Sequence, residues 1–122
     1  MKYIKIFTDE GGDTHFEDVE IDVKSVVAVP STPPINLSTY FQASRYAFCI
    51  FPSGWCGDWH PAPQKQILFQ LSGECEIQVS DGEVRRFNAG GVLLVEDTWG
   101  KGHLSRVLGS EDMVAVVVQL PE

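Results

Sequence analysis

Glu74-Cys75-Glu76-Ile77-Gln78-Val79 is followed by Ser80-Asp81-Gly82-Glu83 and then by Val84-Arg85-Arg86-Phe87. Polar and apolar residues alternate through the first six positions. That period of two puts every second side chain on one face, as in a half-buried strand. Asp81-Gly82 tolerates the positive φ that a tight hairpin turn requires. The third piece, rich in β-formers, reads as the returning strand.

The same punctuation continues in both directions. Asn88-Ala89-Gly90-Gly91 is a second turn and Trp99-Gly100-Lys101-Gly102 a third. Short apolar runs between such turns predict strands over Lys2 to Phe7, Phe16 to Ile21, Val26 to Val29, Arg45 to Phe51, Gln66 to Leu71, Cys75 to Val79, Val84 to Phe87, Val92 to Val95, His103 to Val107 and Met113 to Gln119. No stretch sustains helical periodicity for the roughly 10 to 12 residues that would identify a helix. Pro30, Pro33 and Pro34 mark residues 30–39 as an extended linker that does not pair regularly. It divides residues 1–39, an N-terminal β flap, from residues 40–122, the barrel proper. The whole of 1–122 is read as one all-β domain, with a jelly roll as the leading architecture.

Composition narrows the partners. The 122 residues carry 17 acids against 9 bases, a formal charge of -8. Nucleic acid and anionic membrane surfaces need a basic footprint, so neither is expected as a partner. The apolar runs are too short to span a bilayer as helices. Met1 to Phe7 reads as a first strand rather than a signal peptide. Cys49, Cys56 and Cys75 are odd in number and have no CxxC spacing. Reduced thiols in a cytoplasmic protein are the expectation, with no local support for Cys56 as a nucleophile.

Two histidines stand out. His60 lies in Trp59-His60-Pro61-Ala62-Pro63-Gln64-Lys65-Gln66, and His103 closes Gly100-Lys101-Gly102-His103. A small β-barrel brings such positions together, and the pair then marks a pocket. The spacing resembles the two motifs of the cupin family. The first motif, HxH-x(3,4)-E-x6-G, falls on His60, Ala62, Gln66 and Gly73. The second, G-x5-PxG-x2-H, falls on Gly100 and His103, with Thr98 in place of proline and the leading glycine one position early at Gly91. The wording WHPAP, LSGE, SDGEVRRF and VEDTWGKGH also resembles small single-domain bacterial cupins. The resemblance implies a double-stranded β-helix, or jelly-roll barrel, and a homodimer built by strand exchange or sheet packing.

It also implies a degenerate metal site. Metal-binding cupins offer three histidines and a glutamate. Here His60 and His103 keep two positions, Ala62 has no donor atom, and Gln66 offers only a neutral amide. No tightly bound cofactor is expected. Zn²⁺, Fe²⁺ or Ni²⁺ held weakly by His60, Gln66 and His103 is the most this set would support.

Three functions follow. The first is a binding module for a small organic molecule, with Trp59, Gln64, Gln66, Trp99 and Arg45 as candidate ligand contacts. Gln64 and Gln66 share a strand parity, Trp59 and Trp99 wall the expected mouth, and an inward Arg45 would clamp an anion. The second is an isomerase, epimerase or lyase in which His60 or His103 shuttles a proton and Glu96 orients His103. The third is a weak-metal oxygenase. Of the pair Glu96-Asp97, Asp97 is read as a solvated turn acid, with Lys101 a rim partner. His15 reads as plain surface, or as part of a flap over the mouth.

Overall fold

Strands with one apolar face bury it by stacking one sheet on another. The computed structural model of the chain describes residues 1–122 as twelve β-strands. They are β1 Lys2–Thr8, β2 Thr14–Glu20, β3 Lys24–Val26, β4 Ile35–Leu37, β5 Arg45–Phe51, β6 Cys56–His60, β7 Gln66–Ser72, β8 Glu74–Val79, β9 Val84–Phe87, β10 Val92–Val95, β11 His103–Leu108 and β12 Met113–Gln119. There is no helix, so none is long and apolar enough to cross a membrane. A six-stranded sheet runs β2-β1-β10-β7-β12-β5 and a four-stranded sheet runs β6-β11-β8-β9. All pairings are antiparallel except β1 with β10. The two sheets form an all-β jelly roll whose edges are not joined by strand pairing.

The opening hairpin sits where its alternation places it. Cys75, Ile77 and Val79 point between the sheets and are buried, while Glu74, Glu76 and Gln78 alternate outward. Ile6, Phe16, Leu93, Val95, Val107 and Met113 meet them there. Each fully buried aliphatic side chain of this kind contributes about 1.5–3 kcal/mol relative to exposure. Arg85 is half-buried over the Phe16 ring, 5.0 Å from its centroid, and Arg86 points outward.

Two sequence expectations need correction. The strand expected over Val26 to Val29 is displaced to Lys24–Val26, and a turn from Val29 to Thr32 with Ser31 at φ 71° follows it. The segment expected not to pair contains β4, which pairs with β3 through Ile35, Asn36 and Leu37. The prolines end at Pro34, so these three residues keep their N–H groups. Strand β6 was not expected, because Gly57 and Asp58 interrupt its apolar pattern. Gly57 has its own reason: the Trp55 ring folds over its backbone, and a Cβ would lie 2.6 Å from Cη2 of that ring.

Within residues 1–39, the β1–β2 hairpin forms one edge of the large sheet. Its turn is fastened to the opposite sheet. His15 places Nε2 2.7 Å from Asp9 and Nδ1 2.8 Å from Asp81 in the β8–β9 turn. Hydrogen bonding to Asp9, then to Asp81, raises the pKa of His15 above its ordinary value, and His15 in turn holds Asp9 below the usual carboxylate range. Lys101 pairs with Asp13 at 2.8 Å, not with Glu96 or Asp97 as the sequence suggested. Thr14 Oγ1 donates to the carbonyl of Gly102 at 2.6 Å, tying the flap to the turn before His103.

Candidate functional site

Strand β11 brings the two histidines together. In the β11–β6 ladder His103 stands directly opposite His60, and the register shifts immediately after, between His103 and Ser105. Directly opposed side chains in a ladder are near neighbours, and a local irregularity re-aims them. The ring centroids lie 4.9 Å apart at an interplanar angle of 54°. His103 is buried between the sheets, while His60 lies exposed at the rim.

Both rings line a cavity of about 250 Å³ between the sheets. Its walls are mainly apolar, with Phe51, Trp55, Leu68 and Ile77 among them, and Gln66 adds an amide. Phe51 and Trp55 meet edge to face, 5.0 Å between centroids. Cys75 also reaches the cavity, and burial pushes its thiol up to about 11, so it stays protonated and unreactive at neutral pH. Cys49, Cys56 and Cys75 are all free thiols.

Each imidazole is fixed through Nδ1. His60 Nδ1 lies 2.7 Å from the carbonyl oxygen of Asp58. His103 Nδ1 lies 2.6 Å from Oδ2 of Asp97. A carbonyl and a carboxylate only accept, so both neutral rings carry their proton on Nδ1. Both Nε2 atoms are then left with a lone pair.

Asp97 is fully buried, and its Oδ1 has no hydrogen-bond partner. Its backbone carbonyl accepts from the N–H of Ala62 at 2.9 Å, which joins the two motif segments. Glu96 points away: it pairs with Lys65 at 2.6 Å and Lys5 at 3.7 Å. The acid expected to orient His103 is thus corrected from Glu96 to Asp97. Strand parity carried the signal. Leu93 and Val95 face the cavity, and Asp97 continues their alternation, whereas Glu96 falls on the other face.

The remaining candidates divide by placement. Gln66 lines the cavity with the histidines. Gln64 does not, since its Nε2 donates to the carbonyl of Leu120 at 3.0 Å. Arg45 is exposed on β5 and bonds to the Gln119 side chain, so it is no inward clamp. Trp59 and Trp99 are exposed outside this cavity, and Trp55, two positions before Gly57, supplies the aromatic wall instead. Proximity to a motif histidine in sequence misled here: Trp59 is next to His60 on β6, where neighbours point to opposite faces, and Trp99 lies in the turn before β11.

The donors at the histidine pair are few. Two imidazole nitrogens and a neutral amide are available, Ala62 contributes nothing, and no three His, Cys, Asp or Glu side chains come together in metal-holding geometry.

No family model and no curated protein matches the chain. Among solved structures, the chain is similar to a Cupin 2 conserved barrel domain protein from Salinispora arenicola, at TM-score 0.51 and 18% identity, covering 83% of this chain and 76% of that one. It is also similar to the cupin domain of Cnp3 from Schizosaccharomyces pombe, at TM-score 0.50 and 12% identity, covering 98% of this chain and 84% of that one. Two stacked sheets, in the shape these structures share, give this chain the cupin fold.

Proposed function

We propose that this protein is a cupin-type binding module that takes a small organic molecule between its sheets without a resident metal. The cavity supports this: apolar walls surround two imidazole Nε2 lone pairs fixed by Asp58 and Asp97. Ligand pockets are typically apolar with a few placed polar groups. Protein purified without chelator is expected to hold near-zero molar Zn, Fe and Ni, and to stay so after incubation with each ion. A panel of small neutral aromatics is expected to raise its melting temperature. Stoichiometric metal would overturn the metal-free reading, and a panel with no stabilising member would overturn the binding reading.

A second reading, proton transfer in an isomerase, epimerase or lyase reaction, is favoured by the Asp97–His103 contact. A buried carboxylate on Nδ1 orients the ring and supports a base at Nε2.

We also propose that the protein is a homodimer through the outer face of the large sheet. Tyr46, Phe48 and Ile50 on the edge strand β5 are 69%, 74% and 64% exposed. Phe69, Leu71, Tyr40 and Phe41 extend the same apolar face. Together these seven side chains expose on the order of 800 Å², about what one partner of a standard stable interface buries. An exposed apolar patch of that size is uncommon on a monomer. Sedimentation equilibrium is expected to give twice the chain mass for the natural protein and the chain mass for Phe48→Asp. A monomeric natural protein at micromolar concentration would end the proposal.

A further inference from the structure

We infer that the cavity selects a neutral, ring-sized hydroxyaromatic molecule, a simple phenol, over an aromatic carboxylate of the same size. This rests on the small-molecule reading above and specifies its ligand class. The size comes first. A cavity of about 250 Å³ exceeds the ~150 Å³ that holds a benzene ring, so one ring and a small substituent fit. The Phe51–Trp55 edge-to-face pair offers an aromatic wall on which such a ring packs.

The polar end decides the class. With Nδ1–H of His60 committed to the Asp58 carbonyl and Nδ1–H of His103 to Asp97, the cavity meets two Nε2 lone pairs 4.9 Å apart by ring centroid. Lone pairs accept, so the ligand must donate. A phenolic O–H donates to Nε2, whereas a carboxylate has no proton to give and would face two acceptors. No free cation offsets that mismatch. Arg106 reaches the cavity lining, but its guanidinium is held by Glu76 at 2.8 and 3.1 Å. Lys65, close to Gln66 in sequence, is engaged with Glu96 at 2.6 Å. A buried carboxylate without a partner is costly.

The test is titration calorimetry on the full chain at pH 8 with phenol, toluene and benzoate. At that pH phenol is neutral and benzoate ionised. Phenol is expected to bind at least tenfold more tightly than either. In His60→Ala and in His103→Leu the phenol affinity is expected to fall to that of toluene. His60 lies at the exposed rim, so its variant keeps the comparison available if His103→Leu does not fold. Benzoate equal to or tighter than phenol overturns this inference and leaves a binding pocket standing. Toluene equal to phenol does the same, by showing that the histidines do not select. Binding of none of the three at millimolar concentration overturns the pocket itself.

Discussion

Gly102→Ala is expected to lower the melting temperature by roughly 15 °C and to abolish binding at the histidine pair. Gly102 has φ +73°, and a Cβ there would fall on the carbonyl carbon and oxygen of His60 and 2.5 Å from the nitrogen of Pro61. The left-handed conformation costs a non-glycine residue about 1–2 kcal/mol. Overpacking costs a further ~1–3 kcal/mol, here near the upper end, because the obstacle is backbone and no rotamer change relieves it. The sum, about 4 kcal/mol, is large for one methyl group. Relief would require β11 to part from β6, which is the pairing that sets His103 opposite His60. Gly90→Ala is the control. Gly90 has φ +89° with nothing within 4 Å of a Cβ, so only the conformational cost applies. Differential scanning calorimetry of the two variants decides the matter. Equal melting temperatures would mean that the close approach at His60 is not rigid.

Asp97→Asn is expected to reverse the ligand preference while leaving the fold intact. An asparagine amide in this position has two orientations. With its NH₂ where Oδ1 of Asp97 now stands, both donors would be buried without a partner, since nothing bonds to that atom. With its NH₂ toward His103, one donor finds the Nδ1 lone pair of the other tautomer. The second orientation wins, and the His103 proton moves to Nε2. The cavity then meets a donor instead of an acceptor. Phenol affinity is expected to drop tenfold or more, and benzoate to gain on it. Long-range ¹H–¹⁵N spectra of the histidine rings report the tautomer directly. An unchanged Nδ1–H tautomer in the variant would mean that the amide oxygen takes over the Asp97 contact, and would overturn the predicted switch of ligand preference.

Local alternation and turn chemistry located ten of the strands to within a few residues, with the one over Val26 to Val29 slightly displaced. These signals are short-range, so the chain displays them without folding. Strand β6 escaped because Gly57 and Asp58 break its pattern, and it forms only because β11 supplies its partner. Glu96 was chosen over Asp97 because two adjacent acids look alike in one dimension, although parity already separated them. Trp59 and Trp99 were placed at the pocket by closeness along the chain, Gln64 by the parity it shares with Gln66, and Arg45 as the inward start of a strand, and the fold places all four outside it.

By itself the sequence determined an all-β jelly roll, the histidine pair as the place to look, and the loss of donors at Ala62 and Gln66. Tertiary structure alone decided which acid lies beneath His103, that Trp55 walls the cavity, and that both Nε2 atoms are left bare. The division is physical. Patterning and missing donor atoms belong to the chain locally. A tautomer is set by the acceptor facing the other ring nitrogen, and Asp97 faces His103 only after β10 and β11 have been packed into opposite sheets.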